Sequence, residues 1–256
     1  MKLLAFETAT EACSVALWID GEVRERFELA PRRHAELSLP WAGQLLAEAG
    51  IARSQLDAIA VGRGPGAFTG VRLAIAIGQG IALALDRPMV PVSTLAALAM
   101  RAAALPGDGV PGSGSRRVLA AIDARMNEVY VGLFDLREGR VVSLGDEALV
   151  APGTVELAGD DRDWHGVGTG FAALGGVLQQ RLSARLCSLD AEALPHAADV
   201  AWLAAAAHAR GEAISPESVE PAYLRNNVAL TIAEQQALRA SRCLEAATGR
   251  SARRPA

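Results

Sequence analysis

Leu3-Leu-Ala-Phe-Glu-Thr-Ala-Thr-Glu-Ala-Cys-Ser-Val-Ala-Leu-Trp18 and Leu119-Ala-Ala-Ile-Asp-Ala-Arg-Met-Asn-Glu-Val-Tyr-Val-Gly-Leu-Phe134 align without a gap, 116 positions apart. Each begins with an apolar strand ending in an acid, Glu7 or Asp123, turns tightly, and returns in a strand ending in an aromatic residue. Two hairpins on one plan at a fixed offset imply a duplicated fold, and internal repeats decide architecture before local detail does.

Working outward, 3–6, 14–19 and 23–29 read as a three-stranded meander with Asp20-Gly21 as a hairpin turn. Leu37, Trp41 and Leu45 recur at helical spacing up to Gly50, which suits a helix C-cap, and Pro40 starts or bends that helix. Strands are predicted at 58–61 and 89–92, with a glycine-rich loop and a helix between them, and Ser93 can cap a helix through about Ala104. Beyond it, Gly, Pro and Ser supply eight of the eleven residues 105–115, the composition of a linker. The second half offers strands at 118–122, 129–134, 141–144 and 163–167 and apolar helices over about 171–182 and 198–210. The predicted organisation is therefore α/β, with an N-terminal half (1–105), a linker (106–115), a C-terminal half (116–232) and a basic tail (233–256).

A net charge of -4 with pI near 5.6 argues against charge-driven coating of nucleic acid, so any RNA contact is expected to be shared with a partner. Cys13, Cys187 and Cys243 are odd in number and form no CxxC pair, which disfavours a disulfide framework and fits a reducing cytoplasm. The apolar run 73–85 is broken by Gly78, Gln79 and Gly80 and is shorter than the roughly 20 residues of a membrane span.

Two α/β halves that each open with a meander describe the actin-like architecture of actin, Hsp70 and sugar kinases. Within it, Glu7-Thr-Ala-Thr10, His34-Ala-Glu-Leu37, Gly64-Pro-Gly-Ala-Phe-Thr-Gly-Val-Arg72 and Tyr223-Leu-Arg225 closely resemble the TsaB family, over roughly residues 1–230. The resemblance implies an accessory subunit of tRNA threonylcarbamoyladenosine synthesis. It would have no cofactor of its own and would work with the catalytic relative TsaD and the ATPase TsaE. tRNA would be met through the complex, and a second copy of the chain is the expected partner when TsaD is absent.

The motifs of catalysis are incomplete. Proteins of the actin type hold nucleotide phosphates on a turn after the first strand, with an Asp and glycines so that backbone N–H groups can approach the anion. This chain has Glu7-Thr8-Ala9-Thr10 there, an altered and degenerate nucleotide turn. No Walker A motif exists, because the chain's only lysine is Lys2. Gly166-Val-Gly-Thr-Gly170 lacks the third glycine of a dinucleotide fingerprint and reads as a strand-to-helix turn. His34, His165, His196 and His208 show no metal-ligand spacing, whereas the resemblance implies a closely spaced histidine pair in TsaD. His34 near Glu36 is an acid–base pair or, more simply, a surface cap. Only Gly112-Ser-Gly-Ser115 approaches a serine-nucleophile elbow, in the linker and with the wrong spacing, so a peptidase is disfavoured. A cleft-bound phosphotransferase or ATPase remains the rival class.

The loop Gly62, Gly64, Pro65, Gly66 and Gly70 leads into a helix with two small-residue stripes, Ala74-Gly78-Ala82 and Ala76-Gly80-Ala84. Two mid-helix glycines cost roughly 1 kcal/mol each against alanine, so close packing must offset them. Either the helix is sandwiched within its own domain or, as the resemblance implies, it builds a helical interface with TsaD. The interface expectation falls on Phe68, Thr69 (which can also cap the helix), Arg72, Ala74, Gly78 and Ala82. The arginines of the tail, from Arg239 to Arg254, have no interleaved aromatics and read as a solvated segment.

Overall fold

The structure is a computed structural model that describes residues 1–105, 115–137, 140–159 and 163–225. The meander forms as expected: β1 (Lys2–Glu7) pairs antiparallel with β2 (Ala12–Ile19), and β2 with β3 (Glu22–Leu29). Asp20 and Gly21, both with positive φ (47° and 108°), make the β2–β3 turn. Helix α1 (His34–Ala49) ends on Gly50 at φ 66°, and Pro40 lies inside it. β4 (Ala58–Gly62) and β5 (Met89–Val92) add in parallel to β1, giving the strand order β3-β2-β1-β4-β5. Helix α2 (Phe68–Leu85) connects β4 to β5, and α3 (Thr94–Met100) follows, its Ala96 N–H donating to the Ser93 hydroxyl at 3.1 Å.

The second half repeats the plan. β6 (Arg116–Arg125), β7 (Glu128–Arg137) and β8 (Arg140–Ser143) form the meander, and β10 (Trp164–Val167) and β11 (Leu186–Asp190) join in parallel, giving β8-β7-β6-β10-β11. The strand order and the sense of each pairing match the first sheet. Two strands lie beyond those predicted: β11, and the short β9 (Ala148–Val150), which pairs with β7. Helix α4 (Ala173–Leu182) carries left-handed residues at Leu174, Gly175 and Gly176, and α5 (Ala197–Ala209) follows β11.

Period-2 alternation in β1, β2 and β4 explains how the first sheet is covered on both faces. Leu4, Phe6, Val15, Leu17, Ile59 and Val61 point towards α1 and α2. Leu3, Ala5, Ala16, Ala58 and Ala60 point the other way, and α5 meets them with Ala197, Val200, Ala201 and Ala204. Alanine facing alanine lets α5 lie close to the sheet. The helices are exchanged between halves: α5, from the second half of the sequence, covers the first sheet, while Leu95, Leu98 and Ala99 of α3 pack on Val118, Ala120 and Ile122 of β6. Residues 214–222 also return to the first sheet, through Met89 N–H to Ile214 O at 2.8 Å and Ala222 N–H to Arg63 O at 2.8 Å. Helices thus cross the predicted division at 106–115. Neither half buries its own sheet alone, and Met1–Leu224 form one unit. Most of that linker, residues 106–114, and the predicted tail at 233–256 lie outside the described residues.

Candidate functional site

Glu7 closes β1 and is buried, with only 1% of its surface exposed. Its carboxylate accepts the Ala9 N–H at 2.7 Å and the Thr94 hydroxyl at 2.9 Å, and the Thr8 N–H also points to it. Burial, with only neutral donors in opposition, raises its pKa to about 7. The N–H groups that would have to serve a phosphate at this turn are thus directed at the protein's own carboxylate.

The glycine loop seals the turn from the other side. A Cβ on Gly62 would lie 1.9 Å from Glu7 Oε2, one on Gly66 2.5 Å from Ala9 O, and one on Gly70 2.0 Å from Thr8 O. The Ala67 N–H donates to Ala9 O at 2.7 Å, and Thr8 Oγ1 donates to Gly70 O at 2.7 Å. Gly64, at φ 91°, donates its N–H to Thr94 Oγ1 at 3.2 Å and precedes Pro65 through a cis bond. The structure therefore brings Glu7 and Thr8 together with Gly62, Gly66 and Gly70 as one packed unit. Thr10 Oγ1 stands apart and accepts the Ala12 N–H at 3.3 Å. The second half keeps the same local device, with the Arg125 N–H donating to Asp123 Oδ1 at 2.8 Å.

The unit fixes the start of α2, and here three expectations change. Ala74, Gly78 and Ala82 face inward: a Cβ on Gly78 would lie 2.6 Å from Val61 Cγ1 and 2.7 Å from Met89 Cε, so this stripe packs on the chain's own sheet and is closed to a partner. The outward stripe is Ala76, Gly80 and Ala84, with Leu83 63% exposed beside it. Thr69 does not cap the helix, since Ala67 is the N-cap and no side chain bonds there. Helix α2 has the length and apolar character of a membrane span, yet its inner face is seated on β4 and Gln79 Nε2 donates to Pro216 O at 2.8 Å.

At the exposed start of α2, Phe68 is 63% exposed and the Arg72 guanidinium carbon lies 3.3 Å from its ring centroid. Tyr223 also meets this guanidinium, at 5.1 Å. Sequence reasoning named Phe68 and Arg72 but did not connect them with Tyr223, which lies 151 positions after Arg72; helical spacing cannot reveal a contact made by a returning strap. Exposed cation–π pairs are worth about 0.5–1 kcal/mol, and here they hold an aromatic–guanidinium patch at the helix tip.

His34 is neither a helix cap nor a partner of Glu36. Its Nε2 lies 3.0 Å from Thr10 O and 3.2 Å from Ala12 O, so it holds the β1–β2 turn. Gly168 and Gly170 make the second half's strand-to-helix turn, packed on Ala121. Among the described residues no three His, Cys, Asp or Glu side chains gather where a metal could be held.

Two sheets of identical strand order, related by duplication and sharing exchanged helices, define an actin-like protein. The family model of TsaD, described as tRNA N6-adenosine threonylcarbamoyltransferase, matches residues 28–233. The protein named tRNA threonylcarbamoyladenosine biosynthesis protein TsaB from Escherichia coli is 43% identical over 237 residues, covering 90% of this chain and 96% of the relative. Its namesake from Haemophilus influenzae is 38% identical, covering 89% and 95%. The solved structure of YeaZ from Pseudomonas aeruginosa superposes with a TM-score of 0.77 at 48% identity, over 87% of this chain and 99% of that one. The chain belongs to the TsaB family.

Proposed function

We propose that this protein is an accessory subunit in forming N6-threonylcarbamoyladenosine on tRNA, beside the anticodon of tRNAs reading codons that begin with adenine. It docks on TsaD and supports the active form of that enzyme, without catalysis or a cofactor of its own, in the cytoplasm. TsaE joins the assembly, tRNA is met through it, and the same surface serves a homodimer when TsaD is absent. The names carried by its relatives support the pathway. The observation that carries the docking role is the outer face of α2, where Phe68, Arg72, Ala76, Gly80, Leu83 and Ala84 are exposed along one side of a helix whose opposite face is seated on the sheet. Small residues at Ala76, Gly80 and Ala84 let a second helix approach closely, and an aromatic and an arginine at the tip are the types that anchor interfaces. The turn at Glu7 supports the non-catalytic reading, because its N–H donors are already used within the chain.

The test is tRNA modification by purified TsaD, TsaE and the enzyme that makes threonylcarbamoyl-adenylate, with and without this chain. A rate that depends on it, and co-purification with TsaD, are expected. A rate independent of it, or ATP turnover by this chain alone, would sink the accessory role.

A further inference from the structure

Between the ends of β4 and β5 and the turn joining β8 to β9 lies a cleft of about 660 Å³, which the start of α2 does not enter. Phe134 gives it an apolar wall, Tyr223 also lines it, and Arg63, Ser93, Asp146 and Glu147 bring the polar groups. The Arg63 side chain makes no ion pair or hydrogen bond with any described residue, and neither does that of Asp146. Among the described residues Glu147 accepts only the Ser93 hydroxyl. Burial pushes its carboxyl up, and the Ser93 hydroxyl and the more distant Arg63 charge pull against that shift. Opposite charges thus line one cavity without satisfying each other.

We propose that this cleft binds a small zwitterion of amino-acid to dipeptide size, its carboxylate on Arg63 and its ammonium group on Glu147 and Asp146. A simple anion would meet two carboxylates and a simple cation would meet the guanidinium. Only a ligand with both signs is complementary at each end, and like-charge contacts across an interface are strongly unfavourable. Arg63 suits a carboxylate because its planar fork can bind both oxygens. The volume falls within the roughly 300–1,000 Å³ of small-molecule sites and leaves room for a side chain or a second residue against Phe134. The Arg63 carbonyl is tied to the Ala222 N–H and the Arg63 N–H to Val92 O, so the backbone under the guanidinium is held in place.

Ligand-detected NMR followed by calorimetry on the full chain, with the twenty standard amino acids and their glycyl dipeptides as probes, tests this. At least one probe is expected to bind with a Kd below about 1 mM, near -4 kcal/mol. Arg63→Gln should weaken that probe about tenfold while leaving its decarboxylated amine unaffected, and Glu147→Gln, which keeps the Ser93 bond, should weaken both. Asp146→Asn, at an exposed position, gives the same readout without touching a buried group. No binding across the panel, or binding unchanged in all three variants, overturns the proposal.

Discussion

The hydroxyl of Thr94, the first residue of α3, donates to Oε2 of Glu7, the last residue of β1, at 2.9 Å, and it is the one side-chain donor among the described residues to a carboxylate that is otherwise bonded by its own turn. This bond ties β1, the glycine loop and the crossing helix α3 at one buried point. No basic side chain among the described residues offsets the charge of Glu7, so that charge opposes folding.

Its pKa is raised from 4.5 to about 7 in the folded chain. Between those values the native state holds more protons than the unfolded one, so stability is greatest below pH 4.5 as far as this group is concerned, falls as pH rises towards 7, and levels above it. The full shift corresponds to about 3 kcal/mol. Urea melts across this window should show that slope, and Glu7→Gln should remove most of it. An unchanged slope in the variant would reject the assignment.

Gly78 and Gly80 are two residues apart on α2 and should behave oppositely. Gly78→Leu would drive a side chain into Val61 and Met89. Overpacking of this kind costs about 1–3 kcal/mol or more, so a lowered Tm or insoluble protein is expected. A Cβ added at Gly80 would meet nothing within 4 Å, so Gly80→Leu should fold normally and weaken association with TsaD. Surface plasmon resonance with both variants distinguishes the inner stripe from the outer one.

Phe68→Ala and Arg72→Ala remove the exposed stack at the tip of α2. Each is expected to leave the Tm within about 2 °C and to weaken TsaD binding by about 1–2 kcal/mol, the range of an interface anchor. Full affinity in both variants would move the docking surface elsewhere.

Ser14 of β2 is buried and its hydroxyl accepts the Ala197 N–H at 2.8 Å, capping α5 from the first sheet. Glu25 Oε1 takes the next N–H, of Ala198, at 2.9 Å. Ser14→Ala leaves a buried donor unpaired and should destabilise the chain by about 1–3 kcal/mol. Because α5 covers the sheet of the other half, calorimetry should still show one transition, whereas two separable transitions would contradict the helix exchange.

The sequence by itself determined the duplicated meander, because the apolar strand, tight turn and returning strand of Leu3–Trp18 recur without a gap in Leu119–Phe134, and it determined the turns at Asp20-Gly21 and Gly50, whose positive-φ backbones favour those residues. It also pointed to Glu7 and to the helix after the glycine loop, since both are local patterns. Only the tertiary structure decided which of the two small stripes on α2 is free. Stripes on opposite sides of a nearly all-apolar helix look alike in sequence, and the choice rests on Val61 and Met89 filling the space beside Gly78. The exchange of α3 and α5, the Arg72–Tyr223 stack and the cleft at Arg63 and Glu147 were equally hidden. Each joins residues far apart in the chain, and such contacts are set by how the sheets are covered, which periodicity does not encode.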